Sequence, residues 1–553
     1  MVKSDTIVER ILDLAMAAPD ASFAKIVREG KTRDLSRGEA WINIARYSHG
    51  LCDAGVTPGE IVVVMLPHGW PQQASFLGAM SMGAIPSFMA PPSDKQAQHI
   101  YWSSLTELMK RIRPRLIVVE QWLVDATREA CSIEDTTIVT PEAVYSREAE
   151  EPVMNEAGPD SIALLQHSSG TTGLKKGVAL THRAVLRQID AYAKRLQLDP
   201  SRHRIATWLP LYHDMGLIAC FLMPVTMGVP FVGLDPFEWV ARPWLLLEAI
   251  EQNRCTHVWM PNFAFHQISR TRGDRRFSLE HVAAFINCSE PCRVETHDLF
   301  AEKFADCGIE PEQLQVCYAM AETVFAVTQT EIGTPPRQIK LDQPVGSDQL
   351  GDSTSGGLES RTVLSVGRAI DGVKIAIVSE DDEPLEDGKI GEVVISAPFL
   401  FFEYHLDAAK TQEKLRDGNY YTGDLGLLQG DELFVLGRSD DLIISRGRNF
   451  LAHEIEYAAH GIDGLRPGRS VVFGYDDPGL GTQAIALIFE TEMGSDRDAR
   501  ALARAVKDRV WQECDLVLNR VVPVQPGWLI KTSSGKISRE SNRAQFLHEF
   551  QMT

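Results

Sequence analysis

Apolar residues recur along this chain as short unbroken runs separated by amphipathic stretches. Residues 61–65 read IVVVM, a run that suits a strand covered on both faces. QQASFLGAMSMG fits a helix and AIPSFMA a second strand, and the runs at 116–119 and 137–139 repeat the theme. Strand, helix, strand at this spacing predicts βαβ units and a mostly parallel sheet. The rhythm continues past residue 160. Residues 162–165 form an apolar strand, and Thr181 opens a helix over HRAVLRQIDAYAKRL. TWLPLYHDMGLI, from Thr207, reads as a strand ending at Tyr212-His213-Asp214, and 257–268, 281–293 and 314–327 each read as a strand running into a turn or helix. Ligands of open α/β sheets collect at such strand ends.

Later segments change character. Residues 331–360 are rich in Gly, Ser, Asp and Pro and read as an exposed loop or insertion. Strands at 373–378 and 392–396 alternate with Asp- and Gly-rich turns, which predicts an antiparallel subdomain. The polar step GRSDD at 437–441 marks a boundary. Beyond it come a helix from His453, strands at 470–475 and 483–490, a helix over 496–514, an edge strand near Val521 and the loop KTSSGKISR. The expected fold is therefore α/β. A large N-terminal domain of stacked, mostly parallel sheets with helices and a small antiparallel subdomain spans 1–437. A hinge at 438–442 leads to a small, mobile α+β C-terminal domain at 443–553.

The uncharged stretch 217–234 is long enough to imitate a membrane span. Pro224, Gly228 and Pro230 interrupt it, so it reads as a buried helix, a turn and a core strand, with no membrane span expected. MVKSDTIVERILDLA carries acidic residues inside its apolar pattern and reads as an amphipathic helix rather than a signal peptide. The nine scattered cysteines lack any zinc spacing and fit free thiols in a reducing cytoplasm. Net charge is −20, from 75 acidic and 55 basic residues. That argues against a nucleic-acid partner, but a local cluster can still hold an anion such as ATP.

The densest chemistry lies at 166–180, QHSSGTTGLKKGVAL. Between a strand and a helix it offers glycine-freed backbone N–H groups, four hydroxyl side chains and two lysines, which is what a polyphosphate needs. A flexible surface loop is the plainer reading. The GxxxxGK[ST] pattern of P-loop enzymes is absent. His213 either faces a carboxylate substrate or caps its own turn.

SSGTTGLKKG, 168–177, resembles the phosphate loop of the adenylate-forming superfamily, and five stretches between 166 and 540 match that pattern in order. The resemblance implies the following roles. Ser168, Ser169, Gly170, Thr171, Thr172, Gly173 and Lys176 wrap the β- and γ-phosphates of ATP. Ser289, Glu290 and Pro291, with Tyr318, Ala319, Met320 and Ala321, flank adenine. Glu322 holds Mg²⁺. Asp424, in YYTGD, takes the ribose hydroxyls with support from Arg438. Asp440 is the hinge, and Lys536, in TSSGKISR, reaches the α-phosphate as the catalytic cation. On the residues alone Lys536 would be a solvated surface lysine. Ala319 and Ala321 stand where the superfamily often has Gly and Thr, and Ile530 where Pro is common.

WLPLYHDMGLI, DPFEWVARPWLLLEAI, PNFAFHQI and NCSEPCR are similar to the fatty acyl-AMP ligase branch. That likeness implies activation of a fatty acid as acyl-AMP with release of pyrophosphate, then acyl transfer to the phosphopantetheine thiol of an acyl carrier protein. An acyl-CoA synthetase or aryl-acid ligase sharing the first step is the alternative. Met215, Leu217, Phe221, Phe263 and Phe265 are candidates for the acyl pocket. Arg446, Arg448 and Arg520 are candidates to meet an acidic carrier.

Overall fold

The computed structural model describes residues 4–550 except 94–97, 132–134, 156, 169–175, 342–360, 446–447, 461, 467, 477–482, 493–495 and 533–535. Its spine is one long sheet. Five strands, Phe231–Leu234, Ile205–Thr207, His257–Met260, Ala284–Cys288 and Leu314–Ala319, lie side by side in parallel. Ser22–Arg28 adds a further parallel strand beside Phe231–Leu234. At Ala326–Gln329 the pairing turns antiparallel and stays so through Gly367–Ala369, Glu432–Arg438, Asn419–Gln429, Gly391–Ser396 and Lys374–Val378. The expected antiparallel strands thus continue the parallel sheet at its edge.

A second, parallel sheet orders Ile85–Phe88, Ile61–Met65, Leu116–Val119 and Thr137–Val139. All five residues of Ile61–Met65 are buried, as its unbroken apolar run requires. A third sheet pairs Ile162–Ser168, Lys176–Thr181 and Glu403–Tyr404. Side chains supply the missing acceptors at helix starts. Thr6 and Glu9 form a capping box on Ile7–Ala17, and Thr181 accepts from the Ala184 N–H. Among the described residues no helix is long and apolar enough to cross a membrane. The 217–234 stretch folds as a wide-turned helix over Met215–Leu222, a helical turn at Met223–Met227, a left-handed Gly228 and the strand Phe231–Leu234.

The residues after 438 pack their own core. Ser470–Asp476, Gln483–Glu490 and the edge strand Arg520–Val524 form a sheet, and the helices Ala452–Ala458 and Asp496–Cys514 bury Ile455, Val506 and Val510 against it.

Two expectations shift. The strand foreseen up to His213 is only Ile205–Thr207. Trp208, Leu209 and Leu211 are buried in an irregular connection, so their apolar run reflects burial and not strand pairing. Gly216 allows that connection: a Cβ there would lie 2.3 Å from the Pro210 carbonyl oxygen. In the region read as a loop, Gln338–Leu341 is a strand paired antiparallel with Arg361–Leu364, and 342–360 fall outside the described residues.

Candidate active site

The strand ends Ala284–Cys288 and Leu314–Ala319 open towards the same region, and the third sheet and the C-terminal lobe close around it. The Ser289-Glu290-Pro291 turn follows directly from Cys288. Ser289 has φ +71°, a conformation that costs a non-glycine residue energy and is kept only where the surroundings impose it. Asn262 braces the turn: its Oδ1 accepts from Asn287 Nδ2 at 2.9 Å and from the Arg293 N–H at 3.3 Å. Glu290 Oε2 accepts from the Phe263 N–H at 3.0 Å. Burial pushes the Glu290 carboxyl above the usual carboxylate range, and nearby Lys536 opposes that shift.

Lys536 belongs to the C-terminal lobe, yet its Nζ donates to the Ser289 carbonyl oxygen at 3.0 Å. The same ammonium and His213 act on Asp214. Burial would raise the Asp214 carboxyl, but His213, Lys536 and the Met215 N–H outweigh it and hold the group below its ordinary value. His213 Nδ1 lies 2.6 Å from Asp214 Oδ1, which also accepts from Met215 N–H at 2.8 Å. His213 therefore ends its turn beside Asp214, the carboxylate on which Lys536 also acts. The wide-turned helix Met215–Leu222 starts here; such i→i+5 segments occur often at functional sites.

Glu322 is nearly buried at 8% exposure. Its Oε1 accepts from the Tyr404 hydroxyl at 2.7 Å and its backbone carbonyl from the Phe401 N–H at 2.8 Å. The Lys176 ammonium sits 5.3 Å from the Tyr404 ring centroid. Burial lowers the Lys176 pKa, and Glu322 works against that. Behind Glu322, Val324 has φ +64° and ψ −53°, and Phe325 N–H donates to the Thr323 carbonyl at 2.7 Å. This is a γ-turn, a strained geometry for a β-branched residue.

Asp424 and Arg438 face each other across the hairpin of Asn419–Gln429 and Glu432–Arg438, with Arg438 Nε 3.4 Å from Asp424 Oδ1. The Tyr318 hydroxyl donates to Asp424 Oδ2. Burial raises the Asp424 carboxyl against the pull of Arg438. Ala319, Met320 and Ala321 lead from Tyr318 straight to Glu322. Ser289 follows the end of one strand and Tyr318 lies near the end of its neighbour, and Asp424, Arg438, Glu322, Lys176 and Lys536 gather around them.

Ser168 ends its strand and Lys176 begins the next, whereas Ser169, Gly170, Thr171, Thr172 and Gly173 lie outside the described residues. Asp440 lies exposed in a single turn at Ser439–Asp441. Among the acyl-pocket candidates, Met215, Leu217, Phe221 and Phe265 are buried. Phe263 is 49% exposed and stands edge-on to a stacked Trp208–Trp239 pair. Tyr404 was missed by sequence reasoning, because no local pattern links it to Glu322. Among the described residues no three His, Cys, Asp or Glu side chains gather to hold a metal. A single carboxylate such as Glu322 fits Mg²⁺, which usually takes one or two carboxylates together with substrate phosphates.

The family description "AMP-binding enzyme" matches residues 15–405. The medium-chain fatty acid–acyl carrier protein ligase JamA of Moorena producens is 27% identical over 527 residues, covering 89% of this chain and 86% of its own. The probable long-chain-fatty-acid–AMP ligase FadD30 of Mycobacterium tuberculosis is 25% identical, covering 98% of both chains. A structure from a study of fatty acyl-adenylate ligases of E. coli and L. pneumophila superposes with a TM-score of 0.89 at 23% identity, over 100% of this chain and 98% of that one.

Proposed function

The chain belongs to the AMP-binding enzyme family, and from that premise we propose that it activates a fatty acid with ATP and passes the acyl group to the phosphopantetheine thiol of an acyl carrier protein. The relatives named for these two steps support the substrate and the acceptor. The single observation that carries the reading is the 3.0 Å bond from Lys536 to Ser289, which brings a C-terminal-lobe cation into a site already holding Glu322 and Asp424.

A carboxylate is a poor acyl donor because its leaving group would be oxide. In the first step a carboxylate oxygen attacks the α-phosphorus of ATP, the bond to the bridging oxygen breaks, and pyrophosphate leaves with that electron pair. Both reactants are anions, so the site must mute their repulsion. Lys536 would stabilise charge on the α-phosphoryl oxygens, and Lys176 with the 168–177 loop would hold the β- and γ-phosphates. Glu322 would hold Mg²⁺, which neutralises phosphate charge when bound. Tyr318, Glu290 and their neighbours would flank adenine, while Asp424 would take the ribose hydroxyls, with Arg438 fixing its orientation. His213 would face the acid substrate.

In the second step the thiol sulfur attacks the carbonyl carbon, the bond to AMP breaks and the thiol proton passes to solvent. Rotation of the C-terminal lobe about Asp440 would withdraw Lys536 and admit the thiol. Pyrophosphate release across a panel of acids, followed by product analysis with either holo carrier protein or coenzyme A, tests the reading. Fatty acids are expected to be activated and the carrier acylated; abundant acyl-CoA with an unloaded carrier would overturn it.

A further inference from the structure

The helix Asp496–Cys514 has two unlike faces. Ala499, Val506 and Val510 are buried on one. On the other, Arg497, Arg500, Arg504 and Lys507 are exposed, and Trp511 is 52% exposed. At 3.6 residues per turn these five positions fall within a sector of about 80° and span about 21 Å of the helix axis. Asp498 lies well outside that sector, whereas Asp508 borders it at about 20°, one turn beyond Arg504. No ion pair is recorded for any of the four cations among the described residues, whereas Arg509 and Glu513 on another face do pair.

Beyond the Arg504/Asp508 spacing, this arrangement does little for the helix itself. Arg497 and Arg500 stand near its N-terminus, where the macrodipole disfavours positive charge. The spacings 497/500, 500/504 and 504/507 place like charges as direct neighbours, which is unfavourable. The chain as a whole carries 20 more negative than positive charges, so a stripe of four exposed cations, bordered at one edge by Asp508, is a local reversal of the protein's field. An indole at the end of such a stripe is the residue type enriched at interface hot spots.

We propose that this face of the Asp496–Cys514 helix is the docking surface for an acidic face of the carrier protein that takes the acyl group. The proposal rests on the function proposed above, since it names where that acceptor binds. The stripe orients the carrier by charge, and Trp511 supplies the apolar anchor. Arg446 lies outside the described residues and the Arg448 side chain is not among those described, while Arg520 is exposed at the start of the strand that packs on this helix.

The test compares wild-type protein with Arg500→Glu/Arg504→Glu, Trp511→Ala and the conservative Arg500→Lys/Arg504→Lys. Pyrophosphate release with fatty acid reads the first step. Loading of a phosphopantetheinylated, acidic acyl carrier protein at about 50 and about 300 mM salt reads the second, since screening distinguishes charge-steered docking. Expected are unchanged pyrophosphate release in every variant and a KM for carrier raised at least roughly tenfold in the Glu variant, with its salt dependence largely gone. The Lys variant should restore both. Wild-type KM and salt dependence in the Glu variant would overturn the proposal. So would loss of anionic-vesicle binding in that variant with carrier loading unchanged. If wild-type protein releases pyrophosphate but acylates coenzyme A and no carrier, the function reading falls and this surface with it. A loaded carrier indifferent to the stripe removes the surface alone.

Discussion

The Lys536 ammonium donates to the Ser289 carbonyl at 3.0 Å across a sequence separation of 247 residues. The acceptor carbonyl belongs to a residue held at φ +71°, so the turn that presents it is itself under strain. The contact therefore joins two elements that sequence order keeps far apart, and it does so beside Glu290 and Asp214.

Lys536→Ala should cut acyl-AMP formation by roughly 100- to 1000-fold, because one well-placed charge-stabilising donor in a dry site contributes about 3–4 kcal/mol. Acyl transfer from supplied acyl-AMP should persist. ATP–pyrophosphate exchange measures the first and carrier loading the second. Normal exchange in the variant would take Lys536 out of the mechanism.

Tyr404→Phe keeps the ring that packs at a tilt against Phe401 and faces Lys176 but removes the donor to Glu322 Oε1. Fold stability should fall by about 1–3 kcal/mol, since a nearly buried carboxylate loses a donor. The Mg²⁺ concentration for half-maximal activity should rise several-fold, since groups that orient a ligand carboxylate set its metal affinity. An unchanged Mg²⁺ titration would mean that Tyr404 does not orient Glu322 for metal.

The parts of this site visible in the sequence are those that local chemistry marks. Strand Ile61–Met65 is legible because burial on both faces demands an apolar run. The run at 207–212 is equally apolar, yet most of it is irregular backbone, since burial without pairing produces the same composition. Lys536 was legible only through its resemblance to a family motif. Tyr404 was not legible at all, because its partner Glu322 lies 82 residues away and the fold alone brings them together. Gln338–Leu341 hid inside a Gly- and Ser-rich segment, where four alternating residues carry too little signal.

Val324 gives a stability test with an inverted order. At an ordinary buried site glycine is less stable than alanine by about 1 kcal/mol, through its larger unfolded-state freedom. Val324 is fully buried, so both replacements lose packing, but only glycine relieves the φ +64° geometry. Val324→Gly should therefore be at least as stable as Val324→Ala in chemical denaturation. A clear advantage for alanine would show that the turn carries little strain.

Three buried histidines make the protein acid-labile in a defined window. Burial lowers His182 and His297 to about 4 and His257 to about 3. The unfolded chain binds protons near pH 6.5 while the folded one resists, so stability is full above that value and is lost as pH falls towards 4. Each histidine should cost about 2 kcal/mol at pH 5. His182 Nδ1 accepts from the Ile7 N–H at 3.3 Å. Asn at 182 keeps an acceptor but does not titrate. His182→Asn should reduce the slope of stability against pH between 5 and 6.5 by about one proton. An unchanged slope would show that His182 does not titrate with unfolding.

Arg539, three residues beyond Lys536, ties the C-terminal lobe to Asp441 within the expected hinge. Its guanidinium lies 2.7 Å from Asp441, 2.7 Å from Glu456 and, through Nε, 2.7 Å from the Val472 carbonyl oxygen. Burial pushes the Glu456 carboxyl up, with Arg539 opposing it. Removing the arginine alone would strand that buried charge, so Arg539→Ala should destabilise the lobe by about 3–5 kcal/mol. Hydrogen exchange should rise over 452–476 and 539–550 before it rises in the large sheet. Adenylation should fall as well, because the segment from Lys536 to Arg539 loses its anchor. Removing both charges, as Arg539→Met with Glu456→Gln, should recover much of the stability, since a buried pair replaced as a pair costs far less than one broken. Equal loss in the single and double variants would mean that Arg539 acts through its packing and not through its charge.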